Sequence, residues 1–156
     1  MAEIQWAILC QQGIVDRFTN NLSIIGVVNE VTFDKVREDG AGASSDEAEA
    51  EYGMALGCQL VTLWARSDPD QAEKFWQRVT ITTPDGREHA APGDRLLGDL
   101  VDHKRTRLLT GIRTIPYGGT GIYTFNVLYA ENEADEGEIV SRAPVEIKVR
   151  EVDTAR

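Results

Sequence analysis

Apolar side chains in this chain recur at every second position. Ile4, Trp6, Ile8 and Cys10 alternate with Gln5, Ala7 and Leu9. Phe75, Val79 and Ile81 face one way, with Trp76, Arg78, Thr80 and Thr82 opposite. Tyr123, Phe125, Val127 and Tyr129 make a further apolar face. Val145, Ile147 and Val149 make the last, with Glu146, Lys148 and Arg150 outward. A period of two belongs to strands that bury one face. Two more runs, Leu22 to Phe33 and Leu56 to Trp64, are rich in β-branched residues and too apolar for surface helices.

Turns punctuate these runs. In Thr83-Pro-Asp-Gly86 the proline presets φ and the glycine tolerates positive φ. Helical signals are few. Pro69 to Lys74 predicts one short helical turn with Asp68 as its N-cap. Residues 93–103 are ambiguous, because Leu96, Leu97, Leu100 and Val101 have helical spacing that Gly98 weakens. About eight strands with at most one or two short helical turns predict an all-β sandwich. A chain of 156 residues suits one domain, placed at residues 1–153.

The net charge of −10 is local: residues 34–53 carry −5 and residues 131–138 carry −5, so the rest is neutral. The first segment is polar and Gly/Ala/Ser-rich, which predicts a mobile acidic loop between two strands. The second predicts an acidic hairpin loop. Such segments repel phosphate backbones, and Lys104, Arg105 and Arg107 are too short a basic stretch to compensate, so no nucleic-acid partner is expected. No apolar run approaches the roughly 20 residues of a membrane span, and Glu3 stands where a signal peptide would be basic. Two cysteines, Cys10 and Cys58, fit buried, reduced thiols in a cytoplasmic protein.

The chemistry-bearing residues make no recognisable set. His89 and His103, taken with Cys10 and Cys58, lack the C-x-x-C and H-x₃₋₅-H spacings of structural zinc. There is no G-x-S-x-G nucleophile elbow, and neither cysteine sits in a catalytic motif. Gly118-Gly-Thr-Gly121 opens a strand where a phosphate loop would open a helix, so it reads as a turn. Asp46-Glu-Ala-Glu-Ala-Glu51 lacks the glycine and alternation of a calcium loop. The expectation is therefore a non-enzymatic protein without catalytic residues, metal or cofactor. Gly121-Ile-Tyr123 resembles a tyrosine corner, whose hydroxyl bonds back to upstream backbone.

One face stands out. With Phe75 committed to the core, Trp76 must point away from it, beside Arg78 and Thr80. Tryptophan and arginine dominate interface energetics, so these three residues are the candidate surface for a protein partner or for self-association. The alternative is a cation- or small-ligand-binding domain using the acidic loops.

Both ends of the chain also carry a resemblance. Ile4 to Val31 (IQWAILCQQGIVDRFTNNLSIIGVVNEV), with its "IVD" link and N-L-S-I-I-G-V element, resembles a family of uncharacterised bacterial proteins. Gly121-Ile-Tyr123-Thr-Phe and Ala143-Pro-Val-Glu-Ile-Lys-Val149 look similar to that family's closing strands. The resemblance implies a cytoplasmic, immunoglobulin-like sandwich with no assigned activity, and it carries over no catalytic residue.

Overall fold

Strand propensity and alternation are realised over most of the described residues. The computed structural model describes residues 1–37, 53–91 and 95–153, and among them there are ten strands and no helix. They are β1 (Ala2–Val15), β2 (Leu22–Val27), β3 (Glu30–Arg37), β4 (Gly53–Arg66), β5 (Lys74–Thr82), β6 (Glu88–Ala90), β7 (Leu96–Asp99), β8 (Arg105–Pro116), β9 (Gly121–Ala130) and β10 (Glu138–Asp153). One sheet has the order β2-β1-β4-β8. The other runs β3-β10-β9-β5-β6, with β7 also paired to β5. All pairings are antiparallel except β3 on β10.

The chain changes sheets between β2 and β3, between β4 and β5, between β7 and β8 and between β8 and β9, and β3 and β4 also lie in different sheets. With β1-β4-β8 on one side and β10-β9-β5 on the other, this is the order of an immunoglobulin-like Greek-key sandwich. The β8–β9 crossover is pinned where the sequence placed a tyrosine corner. The Tyr123 hydroxyl accepts from Gly118 N at 2.8 Å and donates to Gly119 O at 2.8 Å.

Between the sheets, Leu60, Trp64, Ile112 and Ile115 meet Phe75, Ile81, Tyr123, Phe125 and Ile147, all essentially inaccessible. The rings of Trp64 and Phe75 lie 4.5 Å apart between centroids, and Phe75 stacks on Tyr129 at 5.7 Å. Gly98 belongs to this cluster because a Cβ there would come within 2.1 Å of the Phe75 ring. One polar group shares the interior. Gln77 Oε1 accepts from Trp64 Nε1 at 2.9 Å and Thr62 Oγ1 at 2.5 Å, while its amide donates to Thr110 Oγ1 at 3.1 Å. A buried carboxamide is tolerated here because both its ends are bonded.

Four expectations change. Residues 96–99 are strand β7, with Leu96, Gly98 and Leu100 turned inward, and Gly98 answers to Phe75 instead of weakening a helix. Pro69 to Lys74 makes a turn (Gln71 N to Asp68 O, 3.2 Å) with no helix, because the short 67–73 link must cross between sheets and enter β5 extended. The Leu22 to Phe33 run divides at Val28-Asn29 into β2 and β3, which lie in different sheets. In β1 the register slips between Ile4 and Trp6, and the extra residue changes the facing. Ala2, Ile4, Ala7 and Leu9 therefore join the core cluster, whereas Trp6, Ile8 and the buried Cys10 face the other side.

The segment read as an acidic loop at 34–53 begins inside β3. Asp34 and Arg150 form a two-bonded ion pair at 2.9 and 3.0 Å, and that pairing holds the Asp34 carboxyl below its ordinary range. Residues 38–52, on which the rest of that expectation falls, lie outside the described residues.

Candidate functional site

Alternation along β5 divides its residues between two environments. Phe75, Gln77, Val79 and Ile81 are buried toward the other sheet, so Trp76, Arg78, Thr80 and Thr82 lie on the outer face. Register places Trp76 between Ala130 of β9 and Leu97 of β7, and Arg78 beside Leu128 of β9. Thr80 falls between Asn126 and Ala90 of β6. Trp76 and Arg78 are half-buried, Leu97 is 45% exposed, and Thr80 is only 4% exposed.

Thr80 is thus floor, not surface. Its hydroxyl donates to Glu88 Oε1 at 2.6 Å and accepts from Asn126 Nδ2 at 3.2 Å, and the same amide donates to Thr82 Oγ1 at 2.9 Å. The acidic 131–137 loop explains why an outer face is covered at all. At Gly137 (φ +87°) the loop returns so closely that a Cβ would sit 2.8 Å from Tyr129 O and 3.3 Å from Leu128 Cβ. Only glycine accepts both that dihedral and that approach. The returning loop and β6 flank an open depression of about 390 Å³, with Arg78 and Thr80 joined by Glu88, Leu128, Glu136 and Ile139.

The electrostatics of this depression centre on Arg78, whose guanidinium has no ion pair or hydrogen bond among the described residues. Glu88 already holds the Thr80 hydroxyl. In the loop above, the Asp135 carboxylate is occupied by Asn132 N and Nδ2 at 3.2 and 3.0 Å, closing its own turn. Among the described residues no three His, Cys, Asp or Glu side chains come together as a metal site. Cys10 and Cys58 are buried and not disulfide-bonded, their thiols donate to Gln59 O and Leu56 O at 3.6 and 3.4 Å, and burial pushes both thiols up. His89, opposite Ile81 in the register, has a buried Nε2 without a partner. Among the described residues no helix is long and apolar enough to cross a membrane.

The structure brings Trp76, Arg78 and Thr80 to one face and adds Leu97, Glu88 and Glu136. Leu97 had a signal in sequence: Leu96, Gly98 and Leu100 alternate with it. Glu88 arrives through the β5–β6 hairpin across the Thr83–Gly86 turn, whereas Glu136 had no signal, because only the fold-back at Gly137 carries the acidic loop to β5.

An immunoglobulin-like β-sandwich with an open depression on one outer face is what this geometry defines. No protein-family model matches the chain. No curated protein matches it either. Among solved structures it is similar to an immunoglobulin-like protein from Pseudomonas aeruginosa, at 12% identity with a TM-score of 0.33, over 95% of this chain and 97% of that one.

Proposed function

We propose that the protein is a non-enzymatic interaction or assembly module of the cytoplasm, a member of the bacterial immunoglobulin-like family that its two ends resemble. Its binding surface is the outer face of β5, where Trp76, Arg78 and Leu97 meet a segment of a partner protein. One observation carries this reading: Arg78 is half-buried, has no partner among the described residues, and stands on the same face as a half-buried indole. A guanidinium held partly out of water without an anion gains by meeting a carboxylate or a peptide carbonyl. The neighbouring indole and Leu97 supply apolar area for the same contact. Thr80 acts from below by holding Glu88 at the edge of the depression.

The test is affinity capture from native lysate with the wild-type chain, Trp76→Ala and Arg78→Glu. A protein recovered by the wild type and lost by both variants supports the reading, provided both variants melt like the wild type. Equal recovery by all three rejects it.

The depression itself favours a second reading, a small ligand carrying both charges, seated between Arg78 and Glu136. A thermal-shift screen separates the two, since a specific ligand or cation raises the melting temperature by mass action.

A further inference from the structure

The first sheet ends on a strand unlike every other edge of the sandwich. β2 pairs with β1 on one side, and no described strand pairs with its other side. Its sequence, Leu22-Ser-Ile-Ile-Gly-Val27, holds no ionisable residue. The remaining edges are charged: Arg105, Arg107 and Arg113 on β8, Glu30 and Asp34 on β3, Glu88 on β6 and Asp99 on β7. Charge is a usual protection against edge pairing, and β2 lacks it.

The hairpin that carries β2 is firmly built. Asp16 Oδ1 accepts from Phe18 N and Thr19 N at 2.7 and 3.0 Å, which holds its carboxyl below the ordinary range, and Asn20 N donates to Asp16 O at 2.8 Å. The hairpin folds back across the sheet. Arg107 Nη2 on β8 reaches Asn20 O at 2.5 Å, and a Cβ on Gly13 would lie 2.9 Å from Val61 Cγ2. Its inner side is thereby occupied. Its outer side presents Val27, Ile25 and Ile14 at 58, 47 and 43% exposure, brought together by the pairings Cys10–Val27, Gln12–Ile25 and Ile14–Ser23. Phe18 at the tip is fully exposed.

We infer that β2 is the dimerisation edge of this protein, pairing antiparallel with β2 of a second copy about a two-fold axis near Ile24 and Ile25. Charge selects the occupant. A chain of net −10 repels its own copies, but the hairpin contributes only Asp16 and Arg17, which cancel. A strand run antiparallel against itself is self-complementary, so one patch serves both subunits. That arrangement also sets the turn of one copy beside the β2–β3 corner of the other. Arg17, without an ion pair among the described residues, then comes near Glu30 of the partner subunit, a carboxylate that Lys148 of its own chain holds at 3.0 Å. This surface is distinct from the Trp76 face, and neither depends on the other.

Sedimentation velocity over a wide concentration range tests it. The wild type should be a dimer that Ile25→Lys and Val27→Lys each convert to monomer while circular-dichroism melting stays unchanged. Arg17→Glu should weaken dimerisation about tenfold. A wild type that is monomeric throughout overturns the inference, whatever else the hairpin binds. So does a dimer that both lysine variants leave intact, or an Arg17→Glu variant that dimerises as tightly as the wild type.

Discussion

Trp64 of one sheet donates its indole N–H to the side-chain oxygen of Gln77 on the other, at 2.9 Å, in an interior where neither residue is more than 1% exposed. The same oxygen accepts from Thr62, and the amide reaches Thr110, so one carboxamide joins β4, β5 and β8. Gln77→Ala strands these donors and acceptors and opens a void. The loss should be about 3 kcal/mol in urea unfolding, with the m-value unchanged.

Gly98 and Phe75 make the second prediction. Gly98→Ala forces a methyl into the ring and should cost about 2 kcal/mol or more. In a double-mutant cycle, Phe75→Leu should relieve much of that cost, because the two residues share one space. Additive losses would show that the strain lies elsewhere.

The tyrosine corner is testable by removing a single oxygen. Tyr123→Phe leaves the amide of Gly118 and the carbonyl of Gly119 without their partner. A loss of about 1–3 kcal/mol in equilibrium unfolding is expected, with the strand content of the far-ultraviolet spectrum unchanged.

Thiol chemistry should report burial. The folded protein keeps Cys10 and Cys58 protonated to higher pH than the unfolded chain does. The stability this contributes is complete below the ordinary thiol range and is lost as pH rises through the shifted values. Thiol reagents should therefore react only as fast as the protein opens, and added denaturant should accelerate both cysteines together. Rapid labelling of either one in native buffer would contradict this.

Legibility in the sequence followed locality. The inward set on β5, the Thr83–Gly86 turn and the Tyr123 corner depend on neighbours within a few residues, and all three were readable. The facing of β1 was misread because one unpaired residue between Ile4 and Trp6 reverses which set meets the core, and alternation alone carries no mark of it. Gly98 looked like a weak point in a helix because its reason, the Phe75 ring, lies on another strand. The site divided the same way. Trp76, Arg78 and Thr80 share a strand and were grouped correctly on one face. The burial of Thr80 and the arrival of Glu136 require a loop to fold back at Gly137, a contact that no local pattern announces.

The two aromatic neighbours of β5 should part company on truncation. Phe75→Ala removes a ring packed against Trp64 and Tyr129 and should cost roughly 3–5 kcal/mol. Trp76→Ala, from the outer face, should cost clearly less in the same unfolding experiment. Equal losses would make Trp76 a structural residue and remove it from the binding surface.

The central claim, that the outer face of β5 meets a protein partner, is tested most directly by photo-crosslinking from Leu97 in living cells. Leu97 pairs with Trp76 and is 45% exposed, so a benzoylphenylalanine placed there reaches whatever covers the indole. A discrete crosslinked product is expected, and it should disappear when Arg78→Glu is added. A probe at Leu97 that captures nothing, or a product that Arg78→Glu leaves undiminished, would contradict it.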